Sequence, residues 1–180
     1  MKHFLLLLSF LPAWAMALNI NPGNSVPNIN IDNAGELQLT EGDISYSPWS
    51  TQQLNGKVRL IQAMAGRTSA KELNAPMIEA VKQAEFGNDT YQTVTIVNLD
   101  DAIFGTSGFV TGKMKTNKKS FPKASFVIDK KGDLFDLWKI KAKSSAIILL
   151  NAEGEVLFAK DGELNQQEID QVIGLIKANI

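Results

Sequence analysis

Two cationic side chains, Arg67 and Lys71, flank the start of a predicted helix, and this spacing could bind an anion. Ser69 and Glu72 stand in the pattern of a capping box, which predicts Ser69 as the N-cap of the helix. A helix start presents unpaired N–H groups and a positive potential, so a carboxylate or phosphate would suit this loop, including Thr68. The alternative is that Ser69 only caps the helix while Lys71 pairs with a surface carboxylate.

A serine pair, Ser144 and Ser145, stands ahead of a predicted strand. A Ser–Lys pair can carry out acyl transfer without histidine, so Lys71 with Thr68 or one of these serines could form a hydrolase or transferase site. Lysine must be desolvated before it can act as a base near neutral pH. The alternative is two hydroxyls that hydrogen-bond locally at a strand start. Ser145 is also included in the predicted ligand site.

Two neighbouring carboxylates, Asp100 and Asp101, close another predicted strand. Such a pair can bind Mg²⁺ or Ca²⁺ or act as an acid and a base. Because a metal site needs several more oxygen ligands, we expect a solvated turn here and predict no metal site.

Lysines are concentrated in one stretch, residues 113–143, which holds ten lysines against three acidic residues. Lysines on one face could meet an acidic partner or an anionic envelope surface. The alternative is that they are dispersed and solvated. Since the whole chain has a net charge of −1, it does not have the composition of a nucleic-acid-binding protein. A partner surface is predicted at Lys113, Lys115, Lys118, Lys119 and Lys123.

The chain contains no cysteine, and its one histidine is His3. Thiol nucleophiles and disulfides are therefore absent, which excludes thiol oxidoreductase and peroxidase activity. His3 lies in a segment that we expect to be removed, so imidazole bases and the usual zinc ligands are missing as well. No cofactor is predicted.

The N-terminus has the layout of a secretory signal peptide. A short basic start at Met1–His3 precedes the apolar run Phe4–Leu11, and Ala15-Met16-Ala17 matches a cleavage site. We expect cleavage after Ala17 and export to a bacterial periplasm. Residues 18–180 are predicted to form one domain, and no segment is long and apolar enough to span a membrane.

Strands and helices alternate along the rest of the chain. Apolar residues spaced by three and four follow Ser69 and predict a helix that Pro76 should kink. The alternation favours an α/β fold, with a mixed sheet and helices on both faces. The other predicted elements are a hairpin with strands 29–31 and 37–39 and its turn at 33–35, an irregular stretch 46–53, strands 58–64, 91–99, 124–128, 146–150 and 156–158, a helix within 106–119 with Phe109, Val110 and Met114 on its apolar side, a short helix 134–138, and a last helix capped by Asn165 and Glu168.

The order of these motifs resembles the thioredoxin-like proteins that bacteria export. Gly56-Lys57-Val58 precedes a strand and then a helix with an internal proline, Pro76, as in that group. The resemblance covers residues 26–177 and places Thr68 and Lys71 at the two cysteine positions of a Cys-x-x-Cys motif. It places Ser145 where the family has a cis-proline that helps to hold extended peptides.

More closely, the chain resembles the YtfJ family of small periplasmic proteins. This resemblance implies a thioredoxin-like three-layer α/β/α fold with a mixed central sheet and an N-terminal β-hairpin. Our leading hypothesis is a non-catalytic binding or accessory protein, with a periplasmic protein or a small anionic ligand as its partner. The alternatives are the Lys71 hydrolase or transferase and a structural module whose acidic and basic faces mediate assembly.

Overall fold

The structure is a computed structural model that describes residues 18–180. The predicted signal peptide, residues 1–17, lies outside the described residues. Within residues 18–180 the elements are β1 Asn30–Thr40, β2 Asp43–Ser50, one turn of 3-10 helix Thr51–Leu54, β3 Val58–Ala65, α1 Thr68–Leu73, α2 Ala75–Ala84, β4 Tyr91–Asn98, α3 Ser107–Ser120, β5 Ser125–Asp129, α4 Asp133–Trp138, β6 Ser145–Leu150, β7 Val156–Asp161 and α5 Gln166–Asn179.

The strands form one mixed sheet in the order β2-β1-β5-β4-β3-β6-β7. The three central strands β3, β4 and β5 run parallel, because helices connect them across the sheet. The other neighbouring strands pair antiparallel. β2 and β7 are the edge strands of the sheet. The carboxyl ends of the parallel strands meet at one edge of the sheet, where ligands commonly bind in open α/β sheets.

Helices cover both faces of the sheet, as the sequence predicted. Side chains alternate between the faces along each strand, so Val58 and Leu60 of β3 pack with α2 and α5. Met114 of α3 packs on β1 and β5 in the same outer layer. Ile61 and Ala63 of β3 face the opposite layer, which contains the segment before β1, the 3-10 turn and α4. The predicted three-layer arrangement is therefore confirmed.

The N-terminal hairpin exists, but the predicted turn at 33–35 is wrong. β1 continues through this stretch with a bulge between Ile31 and Glu36, and the turn lies at Glu41-Gly42. β2 then occupies most of the stretch that was predicted to be irregular. The bulge interrupts the alternation of apolar and polar residues, and it resembles a turn in sequence because it requires a glycine, Gly35, with φ of +76°.

The first helix begins two residues earlier than a cap at Ser69 would place it, with Thr68 as its first residue, and the Ser69–Glu72 capping box does not form. Arg67 takes the N-cap position without a side-chain hydrogen bond. The kink expected at Pro76 is a complete break at Asn74, after which Pro76 lies in the first turn of α2. Proline is well tolerated there because the first N–H groups of a helix have no partner within it.

The C-terminal capping box is confirmed: Asn165 accepts from the Glu168 N–H, and the Glu168 side chain accepts from the Asn165 N–H. The weak helix predicted within 106–119 is also confirmed as α3, although Phe109 faces solvent rather than the core. Among residues 18–180, no helix is long and apolar enough to cross a membrane.

Candidate functional site

A partly buried ion pair joins the loops that follow β3 and β4. The Arg67 guanidinium donates from Nη2 to Asp101 Oδ1 over 2.5 Å, and from Nε and Nη2 to the Asp101 carbonyl oxygen over 3.0 and 2.8 Å. Both side chains are only 16% exposed. The pairing compensates much of the charge of Arg67, one of the two cations in the predicted anion site.

Asp101 also contacts a third loop, because its second carboxylate oxygen accepts from the backbone N–H of Lys143. Lys143 has a left-handed backbone with φ of +62°, which is uncommon for a residue other than glycine. Asp101 therefore holds together the ends of β3 and β4 and the loop before β6. The expectation of a solvated turn is wrong for Asp101, although Asp100 is exposed.

Asp101 uses its carboxylate on Arg67 and Lys143, and no group of three His, Cys, Asp or Glu side chains suited to a metal occurs within residues 18–180.

The serines before β6 are held by structural hydrogen bonds. Asn74 donates to the Ser145 hydroxyl and carbonyl oxygens over 3.1 and 3.0 Å and to the Gly162 carbonyl over 3.1 Å. Gln62 approaches the same hydroxyl at 3.4 Å. Ser145 is 0% exposed, while the Ser144 hydroxyl donates to Asp161 over 2.5 Å. Neither serine is free to act as a surface nucleophile in this arrangement.

The remaining residues of the predicted ligand site face solvent. Thr68, Ser69 and Lys71 are exposed on α1, whereas Ser145 is buried beneath the break between α1 and α2. Among the described residues, no ion pair or side-chain hydrogen bond involves Lys71. The fold thus brings the predicted residues to one end of the sheet, but it does not join Lys71 to Ser145.

All five predicted partner lysines lie on or beside α3, but one of them is buried. Lys118 is only 7% exposed, and its ammonium donates to the carbonyl oxygens of Pro122 and Ala124 over 2.9 and 3.0 Å. Burial lowers the pKa of Lys118, and the nearby Glu36 opposes that shift. Lys118 therefore stabilises the connection between α3 and β5 instead of contributing to a partner surface. Lys113, Lys119 and Lys123 are exposed.

A cleft of about 1100 Å³ lies between α3, the β4–α3 loop and the β1–β2 hairpin. One wall is the stripe of α3 that carries Gly108, Thr111, Gly112 and Lys115. The facing wall includes Tyr46, whose ring centroid lies 5.8 Å from the Lys115 ammonium. No local sequence pattern predicts this cleft, because its walls come from distant parts of the chain.

Large apolar side chains project into solvent at one end of the cleft. Ile103 and Phe104 line it from the β4–α3 loop, and the Phe104 side chain is completely exposed. Phe109, in the first turn of α3, is 66% exposed with the Lys113 ammonium 5.5 Å from its ring centroid. We call this cleft, with Ile103, Phe104 and Phe109, the α3 cleft.

Comparison with known proteins shows the family of the chain. Residues 20–179 match the model of a family described as "Bacterial protein of unknown function (YtfJ_HI0045)". The chain belongs to this family. It is 46% identical over 167 residues to the "Uncharacterized protein YtfJ" of Escherichia coli (strain K12), with 93% of this chain and 91% of that protein covered. An uncharacterized protein of Haemophilus influenzae is 40% identical over 163 residues, covering 91% of this chain and 88% of that protein.

The fold of this family member is thioredoxin-like. A protein named as a DsbE-type thiol:disulfide interchange protein, from Chlorobium tepidum, aligns with a TM-score of 0.58 over 89% of this chain and 98% of that chain. The sequence identity is only 18%, so the likeness extends to the fold alone. The cysteines on which thiol–disulfide exchange depends are absent from this chain.

Proposed function

We propose that the protein is a non-catalytic binding or accessory protein of the bacterial periplasm and that it holds its partner at the α3 cleft. The observation that carries this proposal is the open cleft of about 1100 Å³ beside three exposed large apolar side chains, Ile103, Phe104 and Phe109. Large apolar side chains left in solvent beside a cleft are characteristic of sites that contact another molecule. The cysteine-free chain has no thiol with which to act on disulfides.

The geometry gives the hydrolase or transferase alternative little support. That mechanism needs a desolvated lysine beside a hydroxyl nucleophile. Lys71 is exposed, Ser145 is fully buried and accepts from Asn74, and the Ser144 hydroxyl is bonded to Asp161. Hydrolysis of generic ester substrates that is lost in Lys71→Ala would favour the enzyme and contradict our proposal.

The loop from Arg67 to Lys71 remains the predicted site for a small anionic ligand. An anion there would compete with Asp101 for the Arg67 guanidinium, which already makes three hydrogen bonds to that residue. It would rely mainly on exposed Lys71 and the hydroxyls of Thr68 and Ser69. The α3 cleft is therefore the better-supported binding surface.

The test is site-specific photocrosslinking in living bacteria that export the protein. Phe104→benzoylphenylalanine places the photoreactive ring in solvent at the cleft without removing a buried contact. We expect a discrete crosslinked product of higher mass. Gln171→benzoylphenylalanine, on the exposed face of α5, is the control and should give no such product.

Equal crosslinking from both positions would indicate random collision, and no product from either position would contradict a binding role for the cleft. Export is tested separately by the intact mass of protein recovered from the periplasmic fraction. The expected N-terminus is Leu18, and a chain that retains Met1 or remains in the cytoplasm would contradict periplasmic export.

A further inference from the structure

We infer that the free edge of β2, beside α3, receives an extended segment of an acidic partner protein, which adds to the sheet as an eighth strand. This inference deepens the proposed function and rests on it, because it names the chemistry of the partner at the α3 cleft. Addition of a strand to an open sheet edge is a general mode of peptide recognition, in which backbone hydrogen bonds supply affinity and alternate side chains supply specificity.

The hairpin turn fixes which backbone groups of β2 face outward. Glu41 and Gly42 form a two-residue turn with φ of +52° and +91°. In such a turn the flanking residues, here Thr40 and Asp43, make the hydrogen-bonded pair that closes the hairpin. Bonded and non-bonded pairs then alternate along an antiparallel ladder.

This alternation leaves Ile44 and Tyr46 with their N–H and C=O groups directed away from β1. Ser45 and Ser47 bond inward, in pairs with residues of β1. Pro48 has no N–H and falls in the outward register, which is where an edge strand tolerates proline. β2 is the terminal strand of the sheet, so its outward backbone groups are available to a further strand.

The helix wall of the cleft has room for the side chains of an added strand. Gly108 and Gly112 lie on the wall, and a Cβ at either position would meet nothing within 4 Å. Packing within the chain therefore does not require glycine there, although glycine costs about 1 kcal/mol relative to alanine in a helix interior. Open space over two adjacent helical turns is what a closely approaching polypeptide needs.

The charge of α3 selects the kind of segment. Apart from the buried Lys118, the helix carries Lys113, Lys115 and Lys119, and it has no acidic residue. Tyr46 lies on the α3 side of β2, because its cross-strand partner Leu37 packs in the core beneath α3. An added strand would direct alternate side chains toward Lys115, where acidic residues would be favoured.

The same features argue against two other occupants. A second copy of this chain that paired through β2 would bring two α3 helices together. The only charged residues of α3 are lysines, so like-charge repulsion opposes this pairing. A flat anionic bilayer would contact the exposed Phe104 but would not fill a concave cleft.

The experiment begins with a random ten-residue peptide library displayed on phage and selected against the purified protein. We expect enrichment of peptides in which acidic and apolar residues alternate. The strongest of these peptides is then synthesised, together with a version in which each Glu or Asp is replaced by Lys. Binding should weaken at least tenfold on this charge reversal.

Amide hydrogen exchange identifies the mode of binding. In the free protein, the N–H groups of Ser45 and Ser47 should be protected, and those of Ile44 and Tyr46 should exchange rapidly. The synthetic peptide should protect Ile44 and Tyr46 and leave the other two unchanged. Binding without this alternating pattern would overturn strand addition, as would the absence of any enriched peptide.

A matched pair of glycine variants tests the helix wall. Gly112→Leu places a large side chain in the cleft and should weaken peptide binding at least tenfold. Gly174→Leu makes the same change at an exposed glycine of α5 that also has nothing within 4 Å of its Cβ, and it should bind as the unaltered protein does. Equal binding by both variants would overturn the inference.

The two alternative occupants have their own readouts. Dimerisation in sedimentation that Tyr46→Pro abolishes would indicate a second copy, and co-sedimentation with phosphatidylglycerol vesicles that Phe104→Ser abolishes would indicate a membrane. Either result, if no acidic peptide is enriched, would overturn the proposal that β2 receives an acidic segment. A Phe104 crosslink to a protein without strand addition would leave the proposed function standing and overturn only this inference.

Discussion

The side-chain amide of Asn74 donates to both the hydroxyl and the carbonyl oxygen of Ser145, although the two residues are 71 positions apart in the chain. Asn74 separates α1 from α2, and Ser145 begins β6. Asn74 also accepts from the backbone N–H of Leu164, so one buried side chain connects the helix break to β6 and to the segment before α5. These contacts form a closed hydrogen-bond cluster that fixes the helix break against the start of β6.

Asn74→Ala should lower the free energy of unfolding by about 2–4 kcal/mol, because it leaves several buried polar groups without partners. Denaturant unfolding measures this change. Asn74→Asp is the informative companion: it keeps an acceptor for the Leu164 N–H but cannot donate to Ser145 or Gly162. We expect it to be at least as destabilising, and a neutral effect would show that the donors contribute little.

The Arg67–Asp101 pair should show a coupling energy of about 1–2 kcal/mol in a double-mutant cycle made with Arg67→Ala and Asp101→Ala. Both side chains are largely buried, and the guanidinium makes three hydrogen bonds to Asp101. The exposed Lys82–Glu79 pair, at 3.5 Å, is the control and should couple by less than about 0.5 kcal/mol. Similar values for the two pairs would contradict a structural role for Asp101.

Gly35→Ala should destabilise the N-terminal hairpin severely. A Cβ at this position would lie 2.1 Å from the carbonyl oxygen of Ser47, and the backbone has a positive φ. Gly42→Ala shares the positive φ but meets nothing within 4 Å, so it should cost only about 1–2 kcal/mol. Thermal unfolding of the two variants separates the cost of the steric clash at residue 35 from the cost of a positive φ. Equal losses of stability would contradict the bulge geometry.

Asp129 gives a prediction about pH. Its carboxylate accepts from the N–H groups of Lys131, Gly132 and Leu134, yet burial raises its pKa above the ordinary aspartate value. Because the folded-state pKa lies above the unfolded one, this contribution to stability is complete below about pH 4 and is lost as pH rises through the folded-state pKa. The unfolding free energy of the unaltered protein minus that of Asp129→Asn, measured at each pH, isolates the contribution of the Asp129 carboxyl group. A difference that grows with pH would reverse the sign and contradict the prediction.

Local sequence signals predicted much of the fold. The capping box of Asn165 and Glu168 needs only four consecutive residues, so the start of α5 was predictable. The central strands were recognisable because they are short and rich in apolar and β-branched residues. The prediction failed at Gly35, where a bulge and a turn require the same residue type. It also failed at Ser69, where Arg67 takes the N-cap position instead.

The candidate site was less predictable, because its contacts join residues far apart in the chain. Asp101 was read as part of a solvated turn since nothing in its neighbourhood reveals Arg67 or Lys143. Lys118 was counted with the surface lysines because only the folded chain places the Pro122 and Ala124 carbonyl oxygens around its ammonium. No local pattern indicates the free edge of β2 beside the glycines of α3.

Amino-acid composition alone shows which chemistry is missing, because a chain without cysteine cannot exchange disulfides in any conformation. The order of the residues also determines the strand and helix alternation, because short-range periodicity records which side chains face a core. Three relationships arise only in the folded chain: Asn74 encloses Ser145, Asp101 neutralises Arg67, and a cleft opens along α3. These relationships depend on distances between segments that the chain brings together only when it folds.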